Sequence, residues 1–302
     1  MILLALSAIA ELPIDRIRLA GSASDDPDYA RAMERWRAER LDEINGEEGW
    51  TTLVGLFWLK EGQNRFGSDP LNDIVLPQRS APKSAGSIRL EKGVVTLEAT
   101  ADAGVTSEGK PVTALLLQSD AEGKPTVLKV GALKLLLIKR GQKLGLRVKD
   151  TANSARAHFA GLAYFPIDLA WRLVARFEPY DPPKTVPIAN VLGMVENMTS
   201  PGALVFEVNG KSYRLDPVLE KGSKHLFIIF ADQTSAKETY GAGRYLYAEP
   251  PGPDGRVILD FNKAHNPPCA FTRFATCPLP PRQNRLAIHV EAGEKKYAGA
   301  GH

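Results

Sequence analysis

Near the C-terminus, chemistry-bearing side chains crowd together: Val257-Ile258-Leu259-Asp260-Phe261-Asn262, then His265-Asn266-Pro267-Pro268-Cys269, then Cys277-Pro278-Leu279-Pro280-Pro281 and Asn284. Asp260 ends an apolar run, so its carboxylate needs a cation or several donors, because an unpaired buried charge is costly. Arg244, in the preceding apolar segment, is the expected partner; its guanidinium suits either Asp260 as a structural bridge or a ligand carboxylate or phosphate. Asp232 follows Leu226–Phe230 and has two readings. It forms a paired-carboxylate site with Asp260, or it bonds locally in the turn Asp232-Gln233-Thr234.

Cys269 has His265 four residues before it, which suggests a thiol nucleophile with its base; Asn262 or Asn266 would steady an oxyanion. The competing fates of Cys269 and Cys277 are a disulfide or two packed thiols. His265, Cys269 and Cys277 are the right types for zinc, but no C-x-x-C or H-x-x-x-H spacing supports it, so no cofactor is expected. Pro267-Pro268 and Pro280-Pro281 fix φ and remove donors, making a stiff loop that Asn262, Asn266 and Asn284 can tie down. The chain carries no Gly-x-Ser-x-Gly elbow, phosphate loop or dinucleotide fingerprint, which leaves serine hydrolase, nucleotide hydrolase and Rossmann chemistry unsupported.

The elements that position these residues are mostly strands. Tyr29, Met33, Trp36, Leu41 and Ile44 recur at helical spacing after Pro27, so residues 27–49 hold one amphipathic helix and its closing glycines. From 50 to 150 come short apolar or alternating runs separated by Gly, Pro, Asn and Asp, the pattern of an all-β sandwich or barrel. From 151 to 297 a second turn-punctuated set follows: Trp171–Phe177, Ile188–Val191, Ala203–Val208, Ser212–Leu215, His225–Phe230, Arg244–Tyr247, Val257–Phe261 and Leu286–Val290. Asn209-Gly210 between two of these is the strongest hairpin signal. Asp181-Pro182-Pro183 and Glu249–Pro253 read as surface connections, and 298–302 as a tail.

The chain of 302 residues has room for two cores. Its 44% hydrophobic and 24% charged content is that of a globular protein, and no apolar run is long enough for a membrane helix. A net charge of +3, with Lys and Arg scattered among acids, does not point to nucleic acid. Residues 1–26 combine an apolar run, an Ala-x-Ala step and a linker. They read as the remnant of an export signal or as an ordinary first segment, so a periplasmic or extracellular location and a cytoplasmic one both stay open.

Gly49-Trp50, Leu53-Val54-Gly55-Leu56, Trp58, Glu61-Gly62 and Phe66-Gly67-Ser68-Asp69, taken with the Asp260-Phe-Asn262, Asn266-Pro-Pro-Cys-Ala-Phe-Thr272 and Cys277-Pro-Leu-Pro-Pro281 motifs, resemble the bacterial and archaeal DUF1684 family. The resemblance runs from about Tyr29 to Tyr297 and implies boundaries and a site, but no reaction. Phe66-Gly67-Ser68-Asp69 through Ile74-Val75-Leu76, with Gly93 and Glu108-Gly109, also resembles a forkhead-associated (FHA) domain. The arginine and the Ser-x-x-His element with which such domains read phosphothreonine are missing, so phosphopeptide binding is not implied.

These readings predict a mainly β protein: a helix, an FHA-like β module, and a C-terminal antiparallel β sandwich or barrel. The expected site takes a small polar or anionic molecule, framed by Asp232, Tyr240, Arg244, Asp260, Asn262, His265 and Asn266, with catalysis through Asp260, His265 and Cys269 left open. The alternative is an interaction protein whose FHA-like module docks a partner.

Overall fold

A computed structural model describes residues 26–78 and 80–299. The export-signal reading, on residues 1–25, and the tail end at 300–302 lie outside the described residues. The chain opens with α1 (Pro27–Asn45). Eleven strands follow: β1 (Leu53–Trp58), β2 (Gly62–Gly67), β3 (Ile74–Val75), β4 (Gly86–Glu91), β5 (Val94–Ala99), β6 (Thr106–Ser107), β7 (Lys110–Pro111), β8 (Ala114–Leu117), β9 (Val127–Val130), β10 (Leu133–Arg140) and β11 (Lys143–Asp150). After the single turn α2 (Ser154–Ala157) come β12 (Arg172–Ala189), β13 (Val195–Val208), β14 (Lys211–Leu215), β15 (Val218–Leu219), β16 (Leu226–Phe230), β17 (Arg244–Ala248) and β18 (Arg256–Asp260). The protein is therefore mainly β, as its alternating runs predict.

The first eleven strands form two sheets, ordered β3-β2-β4-β5-β8 and β1-β11-β10-β9-β6-β7. Both contribute to one core, in which Phe66, Ile88 and Leu97 of one sheet meet Leu128, Leu135, Leu146 and Val148 of the other. Alternation explains which residues go in: in β11, Leu144, Leu146 and Val148 share the core face, and Arg147 stands on the opposite face. The later strands make a single curled sheet, β17-β16-β15-β13-β12-β18, with β14 paired to β13. Its concave core gathers Phe206, Leu215, Ile228, Phe230, Leu246, Leu259 and Phe261. Asn209 and Gly210, at φ of 53° and 76°, make the two-residue turn between β13 and β14.

Three expectations are corrected. Leu286–Val290 is not a strand; its backbone bonds to the 231–233 loop instead, Leu286 N to Ala231 O at 2.8 Å and Val290 N to the Asp232 carboxylate at 2.8 Å. Asp181-Pro182-Pro183 is no separate connection, because β12 runs through it and the ladder to β13 breaks only between Pro179 and Lys184. On α1 it is Arg40 that is buried, while Leu41 is 46% exposed. The reason is local: Arg40 Nε bonds Glu294 at 2.9 Å, Nη1 bonds Glu43 at 2.7 Å and Nη2 donates to Asn266 O at 2.6 Å. The helix is thereby tied to the C-terminal segment. Among the described residues no helix is long and apolar enough to cross a membrane.

Candidate functional site

The expected frame separates into three buried clusters. Arg244 is sealed, and its partner is Asp232 at 3.2 Å, not Asp260. It also donates to the carbonyl oxygens of Val290, at 2.9 Å, and Ala292, pinning the C-terminal segment to β17. Gly243 makes this approach feasible: at φ +94°, a Cβ there would lie 2.5 Å from Phe230 O. Asp232 accepts from Thr234 N at 3.2 Å and Thr234 Oγ1 at 2.8 Å, the local turn that the Asp-x-Thr spacing allows. Burial pulls the Arg244 pKa down, and Asp232 acts against that pull.

Asp260 belongs to a different cluster. Its oxygens accept from Tyr29 Oη at 2.9 and 3.0 Å and from Asn262 N at 3.2 Å. Asn262 in turn clamps Asp168, accepting from its N at 3.0 Å and donating to its O at 2.8 Å. The expected Arg244–Asp260 and Asp232–Asp260 pairings do not form: β17 and β18, at the two ends of the sheet order, approach each other without pairing, Arg244 and Asp232 hold each other, and Asp260 is taken by Tyr29 and Asn262. The third cluster centres on Asn266, whose N–H donates to Glu294 at 2.8 Å and whose side-chain amide donates to Lys295 O at 2.8 Å. Tyr240 Oη donates to Cys269 O at 3.2 Å. Asn284 likewise ties the loop down, donating to Asp216 O and Ile229 O at 2.9 and 3.0 Å.

No hydrogen bond links His265 to Cys269. Both cysteines are free thiols, and Cys269 N–H donates to Cys277 Sγ at 3.1 Å, so of the two fates open to them the structure holds the packed thiols and not the disulfide. The Cys277 thiol lowers the Cys269 pKa, with a smaller contribution from Arg147; burial raises that of Cys277. His265 Nδ1 lies 3.0 Å from Lys263 O, which makes it the N–H donor. Burial and the nearby Arg40 charge push the His265 pKa down to about 3, leaving the ring neutral at physiological pH. Among the described residues no group of three or more His, Cys, Asp and Glu could hold a metal ion.

His265 and Cys277 do line a large cleft, of about 1290 Å³, bounded on one side by the first β region and on the other by the curled sheet. Trp50, Asp120, Arg140 and Arg147 contribute from the first; Ile188, Met198, Glu220, Phe227, Tyr245 and Tyr247 contribute from the second. Arg140 holds the two sides together, bonding Asp120 at 2.8 Å and Thr276 Oγ1 at 3.1 Å. Lys221 Nζ adds a bond to Ala121 O at 2.7 Å.

Within this cleft one buried cation is unmatched among the described residues. Arg147 is only 8% exposed, its Nε has no hydrogen-bond partner, and no carboxylate lies within ion-pairing distance among the described residues. Its guanidinium sits over the Trp50 ring at 5.2 Å. Burial, reinforced by repulsion from Arg140 and only partly offset by Asp120, pulls its pKa down to about 10. The other buried arginines are paired: Arg40 with Glu294 and Glu43, Arg244 with Asp232. The sequence singled out neither Arg147 nor Trp50 for chemistry. A lone arginine on the outer face of a strand reads as solvated, and what buries it is a distant part of the chain.

The family model described as "Protein of unknown function (DUF1684)" matches residues 157–295. The solution NMR structure of an uncharacterized protein from Haloarcula marismortui is 32% identical over 48% of this chain and 80% of that one, with a TM-score of 0.40. A structure from a study of phosphothreonine-dependent FHA domain interactions matches at 20% identity, over 32% of this chain and 96% of that one; its TM-score of 0.23 carries no argument about this chain's partners. No curated protein matches. The terminal motif and the extent of these matches place the protein: the chain belongs to the DUF1684 family.

Proposed function

We propose that the protein binds a small anionic ligand in the cleft between the first β region and the curled sheet, with Arg147 as the anchoring cation. One observation carries this reading: an arginine only 8% exposed, its guanidinium 5.2 Å over the Trp50 ring, with an unsatisfied Nε and no carboxylate partner among the described residues. Burying an uncompensated charge is costly, and a carboxylate or phosphate that accepts two parallel N–H bonds is the usual remedy. The expected anchor, Arg244, also leaves its Nε unpaired, but its side chain is 0% exposed and its Nη atoms are taken by Asp232 and by the carbonyls of Val290, Ala292 and Glu294.

None of the acids lining the cleft, Glu39, Glu43, Asp120, Glu122, Glu196 and Glu220, forms an ion pair with Arg147. Asp120 is engaged by Arg140 and Glu43 by Arg40. Glu220 accepts from Tyr247 Oη at 3.1 Å, and burial raises its pKa above the ordinary carboxylate value while that hydrogen bond acts against the rise. Titration calorimetry with inorganic phosphate and acetate tests the reading. Arg147→Gln should lower affinity by about tenfold or more, the loss expected of one charge-assisted contact, and Arg147→Lys should lower it less. Equal affinities for wild type and Arg147→Gln would contradict it.

A further inference from the structure

The curled-sheet side of the cleft that Arg147 lines is aromatic, and it narrows the ligand class. Phe227 and Tyr247 are register partners on β16 and β17, and Tyr245 lies on the same face two residues along. His265 joins them through a backbone bridge to Tyr245. The rings of Phe227 and Tyr247 are 4.8 Å apart and 13° from parallel; those of Tyr247 and His265 are 6.0 Å apart and 14° from parallel. Three rings thus share nearly one orientation. Tyr247 remains 42% exposed in this wall. Tyr247 thus stacks with Phe227 and His265, while Tyr245 stands nearly perpendicular to both of those rings at 85° and 86°, so the wall offers ring edges as well as faces; His265 is neutral and adds no charge.

On the side of the first β region the Arg147 guanidinium lies over the Trp50 ring, 5.2 Å from its centroid. The cleft's volume of about 1290 Å³ exceeds what one phosphate or acetate needs and reaches the scale of sites for whole organic molecules, roughly 300–1,000 Å³. We infer that the ligand held at Arg147 is a planar aromatic anion, an aryl carboxylate or aryl phosphate whose ring lies against Tyr247 while its charged group meets Arg147. This rests on the anion-site reading above. A saturated body of equal size would bury similar area but forgo the ring–ring attraction that offset or edge-on aromatic pairs add.

Matched probes separate the two ideas. Calorimetry of the whole protein compares benzoate with cyclohexanecarboxylate and phenyl phosphate with cyclohexyl phosphate, in wild type, Tyr247→Ala, Tyr247→Phe and Arg147→Gln. In wild type at least one aromatic probe should bind about fivefold more tightly than its saturated counterpart, the magnitude of one aromatic contact. Tyr247→Ala should abolish that ratio while keeping the saturated probe's affinity, and Tyr247→Phe should preserve it; the better of carboxylate and phosphate names the head group. Equal binding of aromatic and saturated probes, both weakened by Arg147→Gln, would overturn the aromatic inference and leave the anion site standing. Failure of every probe to bind, or indifference to Arg147→Gln, would overturn both.

Discussion

Ionisable groups taken out of water are handled here in three ways: by an ion pair, by a hydroxyl donor and by staying neutral. Arg40 and Glu294 are matched, with side chains 3% and 0% exposed and 2.9 Å apart. Removing one partner strands the other, so Glu294→Gln should cost roughly 3–5 kcal/mol in urea unfolding, and the double variant Arg40→Met/Glu294→Gln should recover part of that loss. Tyr29→Phe removes the hydroxyl that caps Asp260 and should cost about 1–2 kcal/mol. His265 gives a pH signature. Its folded pKa, about 3, lies below the ordinary value of 6.5, so between these values the unfolded chain binds more protons and stability falls as the solution is acidified. At pH 4 relative to pH 7, wild type should lose up to about 3 kcal/mol more than His265→Asn; an equal loss would contradict a neutral buried imidazole.

At the scale of elements, the strands follow from local pattern and their neighbours do not. Alternation in β11, the helical spacing of Tyr29, Met33 and Ile44, and the Asn209-Gly210 turn are local properties, and each element forms where its residues favour it. Asp232 with Thr234 was legible for the same reason, since two residues suffice to make that turn. The Arg244–Asp260 pairing is not legible in the same way: β17 and β18 end the order β17-β16-β15-β13-β12-β18 and come together without pairing, and the partner of each side chain is set by the loop at Asp232 and the helix residue Tyr29. Leu41 was assigned inward because it is apolar, but Glu294 and Asn266 O make the inward position polar and Arg40 takes it. Gly243 marks where an element depends on backbone alone. Gly243→Ala should destabilise by roughly 1–3 kcal/mol, measured by urea unfolding, because the new Cβ meets Phe230 O and Pro280 at positive φ.

Across the whole molecule, the cleft exists because two β regions with separate cores meet around it, with Arg140–Thr276 and Lys221–Ala121 contacts spanning the gap. The C-terminal motif that drew attention in the sequence turns out to be chiefly a fastening. Its asparagines and Asp260 bind backbone and Tyr29, and only His265, Pro268, Cys277 and Pro278 reach the cleft. The unmatched charge comes from the other side. An arginine kept buried for structure and one kept for a ligand make opposite predictions about stability, because replacing an uncompensated cation relieves a desolvation cost, whereas breaking a pair creates one. The decisive measurement is therefore Arg147→Gln examined by urea unfolding and by phosphate titration in the same low-anion buffer. The account predicts unchanged or increased stability together with a loss of about tenfold or more in phosphate affinity. A loss of roughly 3–5 kcal/mol in stability with phosphate affinity unchanged would show Arg147 to be a structural cation and contradict the ligand site.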